Sequence, residues 1–198
     1  MKQIQLPSLK KIAGIVLMGI ITCSSLQAEQ DLLINPSIHI MVNNNESIAT
    51  SGTYAFDTKI FKVNPVLKVD IADFDSRLIK VINTYMNETA FKASEENPDF
   101  LVNYAVAANS PITEADFKSA YIGDSAFELP KFELGNALKY NRGALIIDIV
   151  DAKTKKILWR GAIMAELKKD VSPEVRDRRL QLAVRSLLTH FPKPILKK

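Results

Sequence analysis

Two periodicities organise the chain. Ile38, Ile40 and Val42 alternate with His39 and Met41, an every-second-residue pattern that predicts a strand. Asn43, Asn44, Asn45 and Glu46 break it as a turn. Thr53, Tyr54 and Phe56 suit a pleated surface and predict another short strand over 52–59. The period then changes. Phe74, Leu78, Ile82 and Met86 recur every four residues, and Ile79 and Tyr85 widen the stripe. Asp75, Arg77, Lys80 and Asn83 take the other face, which gives an amphipathic helix over 73–88. Asp70 or Asp73 is placed to cap its start.

After Pro98-Asp99 the two-residue pattern returns. Phe100, Val102, Tyr104 and Val106 share one side of a strand, and Leu101, Ala105 and Ala107 share the other. Only Asn103 is polar, so both faces of this strand need cover. A hairpin follows the irregular stretch 109–142: Ala144 to Val150 is a strand, Asp151 to Lys155 a turn, and Ile157 to Glu166 the return strand. Asp148 stands among apolar neighbours with Arg160 across the turn, opposite or diagonal by register, so the two can pair. A carboxylate held in this way is read as structural rather than catalytic. Ser172 and Pro173 open the last helix, whose stripe is Leu180, Ala183, Val184, Leu187 and Leu188; Phe191-Pro192 ends it. Arg176, Arg178, Arg179 and Arg185 line its remainder. They suit phosphate or lipid headgroups, but Glu174 and Asp177 dilute the charge and a solvated face is expected.

These elements predict an α+β fold: a mainly antiparallel sheet of about four to six strands with two amphipathic helices packed on one face. The second face then requires the N-terminal segment, another copy or a partner. In the stretch 109–142, a short strand near Ala120 is expected. Its aromatics Phe117, Tyr121, Phe127 and Phe132 are candidates for a partner surface, although packing against the domain's own core is the expected use.

The first residues change the picture. Lys2, Lys10 and Lys11 precede an apolar run from Ile12 to Ile21, and Thr22, Cys23 and Ser24 follow, the layout of a signal peptide over 1–22. Ten apolar residues fall short of the roughly 20 that a spanning helix needs. Ile20-Ile21-Thr22-Cys23 resembles a bacterial lipobox, with Thr22 where Gly, Ala or Ser is usual. Lipidation of Cys23 anchors the chain at about 0.8 kcal/mol per buried CH₂, and Ser24 fits sorting to the outer membrane of a Gram-negative bacterium. Cleavage after Ala28 is the alternative and leaves a soluble periplasmic protein. The sole cysteine of the chain lies just past the apolar run, which favours the lipid anchor.

Charge and candidate chemistry add little. The 198 residues carry 26 Lys and Arg against 22 Asp and Glu; without the three leader lysines the balance is 23 against 22. No clustered basic surface for nucleic acid is expected, and the tail Lys193, Lys197, Lys198 is read as a solvated end. One cysteine allows no internal disulfide, and His39 and His190 are expected to be structural or exposed. The sequence has no G-x-S-x-G, no H-E-x-x-H and no phosphate-binding glycine loop, and no metal or cofactor is expected.

Gly143 to Ala152, then Thr154 and Leu158-Trp159-Arg160-Gly161, together resemble the hairpin of a bacterial envelope family called domain of unknown function 4136. Thr53-Tyr54-Ala55-Phe56, Pro98-Asp99-Phe100-Leu101-Val102 and the Arg/Leu-rich closing helix extend the resemblance over residues 50 to 193. Thr89-Ala90-Phe91 departs from it, because a glycine commonly precedes that aromatic. The resemblance implies an envelope lipoprotein, marks Asp148, Trp159, Arg160 and Gly161 as motif residues, and implies no catalytic ones. The chain thus divides into a leader (1–22), an extended segment (23–49), the domain (50–193) and a basic tail (194–198). The expected function is a non-catalytic binding or assembly module, membrane-tethered through Cys23, with an envelope protein or further copies of itself as partner. The alternatives are a soluble periplasmic small-ligand or lipid binder and a hydrolase of envelope material.

Overall fold

A computed structural model describes residues 32–43, 48–113, 115–116, 119, 142–168 and 170–192. The leader, Cys23, Ala28, the aromatics Phe117, Tyr121, Phe127 and Phe132, the stretch around Ala120 and the tail 194–198 lie outside these residues.

The elements in chain order are β1 (Ser37–Val42), β2 (Gly52–Val63), α1 (Ile71–Asn87), β3 (Phe91–Ala93), β4 (Phe100–Ala108), β5 (Arg142–Asp151), β6 (Ile157–Glu166) and α2 (Pro173–Leu188). The strands form one sheet in the order β1-β6-β5-β4-β2-β3. The β1–β6, β6–β5 and β5–β4 pairs are antiparallel; β2 runs parallel to both β4 and β3. The fold is therefore α+β with a mixed, mostly antiparallel sheet. Among the described residues, the segment before residue 50 contributes the edge strand β1, paired with β6.

Both helices pack on one face. Tyr54, Val102, Tyr104, Ile147, Ile149 and Trp159 from the strands meet Leu78, Ile82 and Met86 of α1 and Val184, Leu187 and Leu188 of α2. Every residue of β4 is buried, as its apolar content on both sides requires. The second face is lined by small and branched residues, Ala105, Ala107, Ala144, Ile146 and Ala162, and Ile112 from the segment after β4 packs onto them. Lys62 of β2 also reaches across to Asp116 at 2.6 Å.

Local chemistry fixes the helix ends and their docking. Asp70 accepts from the Asp73 N–H at 3.1 Å and is the N-cap of α1; Ser172 caps α2. Asp75 of α1 takes Lys59 at 2.9 Å and the Tyr104 hydroxyl, and Tyr54 donates to Asn83 at 2.7 Å. Burial pushes the Tyr54 hydroxyl up to about 12, and burial followed by the Asp75 bond pushes Tyr104 up as well, so both stay protonated donors.

Candidate functional site

The hairpin of β5 and β6 holds the motif residues, and the sheet divides them between its faces. Successive side chains on a strand point opposite ways. Trp159 and Gly161 therefore face the helices, while Arg160 between them faces the second side. On that side Asp148 and Arg160 are directly opposite partners, so the opposite register holds rather than the diagonal one. Arg160 Nε donates to Asp148 Oδ1 and its Nη2 to Oδ2, both at 2.6 Å, in a two-pronged bond. Asp148 is 0% and Arg160 2% exposed.

The polar row continues into β4. Asn103 pairs with Asp148 across β4–β5 and is likewise buried. Its Oδ1 accepts from the backbone N–H of Thr58 at 3.0 Å. There β2 shifts register between Phe56 and Lys59, a bulge whose freed N–H needs an acceptor, and Asn103 supplies it. The sequence marks Asn103 only as the one polar residue of its strand. The broken alternation at Asp57-Thr58 was the available signal for its role.

On the helix face, Trp159 lies over Gly161. A Cβ at Gly161 would sit 2.3 Å from the far edge of the indole, so the spacing of the two residues is a space-sharing arrangement. Phe191, just past α2, packs edge-on to Trp159 with centroids 5.6 Å apart. The indole N–H has no acceptor among the described residues, so shape and buried area hold Trp159 in place.

These residues brace the sheet. Both oxygens of Asp148 are engaged by Arg160, and the carboxylate is shut away from water. Among the described residues, no group of three or more His, Cys, Asp or Glu side chains is arranged to hold a metal. None of their helices is long and apolar enough to cross a membrane.

The surface offers two other features. A groove of about 810 Å³ runs along the seam of α1 and α2, with Arg77, Lys80, Arg178 and Arg185 among its lining residues. Arg77 is bound to Asp73 and Asp177, each at 2.8 Å, and Arg185 to Glu88 at 3.2 Å, so much of that charge is internally balanced. The second feature is an apolar lip between β2 and α1. Val66, Val69 and Ile71 are all exposed there, and Val66 is the extreme at 83%.

A mixed six-stranded sheet with two helices on one face and a buried Asp–Arg pair on the other defines an α+β domain braced through its central hairpin. The chain belongs to the family described as domain of unknown function (DUF4136), whose sequence profile matches residues 42–193. No curated protein matches the chain in sequence. Among solved structures it is similar to the PelC dodecamer from Paraburkholderia phytofirmans in two crystal forms. These are 7% and 6% identical with TM-scores of 0.46 and 0.45, and each match covers 78% of this chain and 96% of that one. It is also similar to a PDZ domain protein from Parabacteroides distasonis, at 14% identity and a TM-score of 0.45, over 86% of this chain and 40% of that one.

Proposed function

We propose that the protein is a non-catalytic binding or assembly module, held on the periplasmic side of a bacterial envelope membrane, in preference the outer one, by lipid on Cys23. The observation that supports it best is the Asp148–Arg160 pair. The most buried acid among the described residues is closed to solvent and bonded on both oxygens, an arrangement that suits a brace better than a general base. The exposed apolar lip and the charged helix seam are features of a protein that works through contacts.

The test is crosslinking in cells from a photoreactive residue replacing Lys80, together with the intact mass of the mature protein. The expected results are a mass beginning at lipidated Cys23 and an adduct of discrete size with another envelope component. Turnover of peptidoglycan or phospholipid by the purified protein, abolished in a folded Asp148→Asn variant, would replace this reading with the hydrolase. A second reading, binding of a small anionic ligand, rests on the cationic lining of the seam groove. Calorimetric titration with glycerol phosphate checks it, and an unchanged heat of dilution counts against it.

A further inference from the structure

We infer that the pole of the sheet carrying the lip between β2 and α1 is the membrane-facing end of the domain, and that Val66, Val69 and Ile71 enter the headgroup layer of the bilayer. This inference rests on the lipid anchor at Cys23.

The argument starts from which segments meet at that pole. Asn64, just past β2, donates its N–H to Ala108 O at the end of β4, and Asn109 donates to Arg142 O at the start of β5. Arg142 in turn donates through Nη2 to Asn35 O at 3.1 Å. Glu166 at the end of β6 donates its N–H to Ile34 O, and its side chain accepts from Asn35 Nδ2 at 2.6 Å. These bonds join the ends of β2, β4 and β6 and the start of β5 to residues 34 and 35. The N-terminal lead therefore joins the sheet at the same pole that carries the lip.

The length of that lead decides the orientation. From Cys23 to Leu32 there are nine residues, which span at most about 30 Å fully extended. The 12 residues of β2 span roughly 40 Å. Leu32 itself lines the helix seam and the chain turns onto the sheet at Ile34 and Asn35, so a lipid on Cys23 favours the lip's pole as the end nearer the bilayer.

The chemistry of the lip suits that place. Pro65 to Leu67 form one turn of 3-10 helix, with Asn64 accepting from the Val66 N–H at 3.0 Å and Lys68 in the left-handed region at φ 47°. That geometry presents Val66 outward on a fixed turn. Lys68 is exposed between Val66 and Val69, and a long cationic side chain there reaches phosphate while its neighbours enter the apolar layer. Asp70 is turned into the cap of α1.

The experiment uses the full lipidated protein in vesicles of phosphatidylethanolamine and phosphatidylglycerol that carry a nitroxide at headgroup depth. A nitrobenzoxadiazole label is placed at Val66→Cys and, in a second preparation, at Glu95→Cys. Glu95 is exposed on the loop after β3, at the opposite pole. Val66 is exposed enough for labelling to leave the fold unchanged. The expected result is loss of fluorescence to the nitroxide at position 66 and none at 95. Equal, water-like emission at both positions on a lipidated protein overturns the inference and leaves the anchor standing. A label at 66 shielded from aqueous iodide yet unquenched by the nitroxide lipid places a second copy on the lip, and also overturns it. A mature mass starting at unlipidated Glu29 removes the anchor and the inference with it.

Discussion

At Gly161 the missing side chain is what allows Trp159 to lie flat on the sheet. Trp159 is fully buried against Phe191 and cannot swing aside, so Gly161→Ala forces a fully packed ring to move. The expected loss is about 1–3 kcal/mol in chemical denaturation. Gly143→Ala is the control: its added carbon comes too close only to the end of the Leu167 side chain, at 2.7 Å, which can yield, so a smaller loss is expected. The Asp148–Arg160 pair predicts a different signature. Removing either partner leaves a buried charge, at a cost of about 3–5 kcal/mol. The joint variant Asp148→Leu with Arg160→Met is expected to lose clearly less than the sum of the two single changes, as a double-mutant cycle reads. Additive losses would show that the pair is not the coupled unit its geometry describes. The sequence alone marked these four motif residues through the resemblance and gave the Asp148–Arg160 pairing by strand alternation. It left the register open, because a turn of uncertain length allows two.

At the scale of elements, periodicity decides what can be read. The last helix was legible to its cap, because Ser172-Pro173 is a start signal and Phe191-Pro192 a stop. The strands β4, β5 and β6 were legible because β-branched and apolar residues fill both of their faces. Strand β2 was only half legible. The strand predicted over 52–59 stops short of the real one, because its alternation breaks at Asp57-Thr58; the structure continues to Val63 beyond a bulge that the side chain of Asn103 completes. The three residues of β3 are too few to carry a period.

Two carboxylates tie such elements together, and acid should loosen them. The Asp99 carboxyl lies below its usual range because the Thr53 backbone N–H and then its hydroxyl donate to it, linking the starts of β2 and β4. The Asp116 carboxyl is lowered chiefly by Lys62, against some desolvation, and further by Thr113. Unfolded, each titrates near about 3.9. The folded form thus binds fewer protons in acid, and the stabilisation is complete above about pH 5 and lost as pH falls through the lowered values. Denaturant midpoints are expected to fall between about pH 5 and 3. Thr53→Val should flatten that fall, and an unchanged slope would remove Asp99 from the account.

For the whole molecule, protection is expected to be graded across the sheet. The centre, β4 and β5, is buried almost throughout, so its amides should exchange only on global unfolding. Strand β1 pairs with β6 alone among the described residues, and Ile38 and Val42 on it are exposed. Its amides should exchange earlier, by local opening. Hydrogen exchange with equal rates in β1 and β5 would contradict this gradient. The position of the lip relative to the chain's lead was not legible in the sequence, because Val66 and Ile34 are brought to one pole only by the closing of the sheet.

The polar row on the second face also bears on how the chain avoids misassembly. Sliding β6 past β5 by two residues would keep each side chain on its proper face, and among Ala144, Ile146, Val150 and Ala162 greasiness alone would barely notice. Such a slip would strand Arg160 beside Ile146 or Val150 and leave Asp148 bare. A single charged couple thereby rules out the misaligned hairpins that an all-hydrocarbon surface would tolerate.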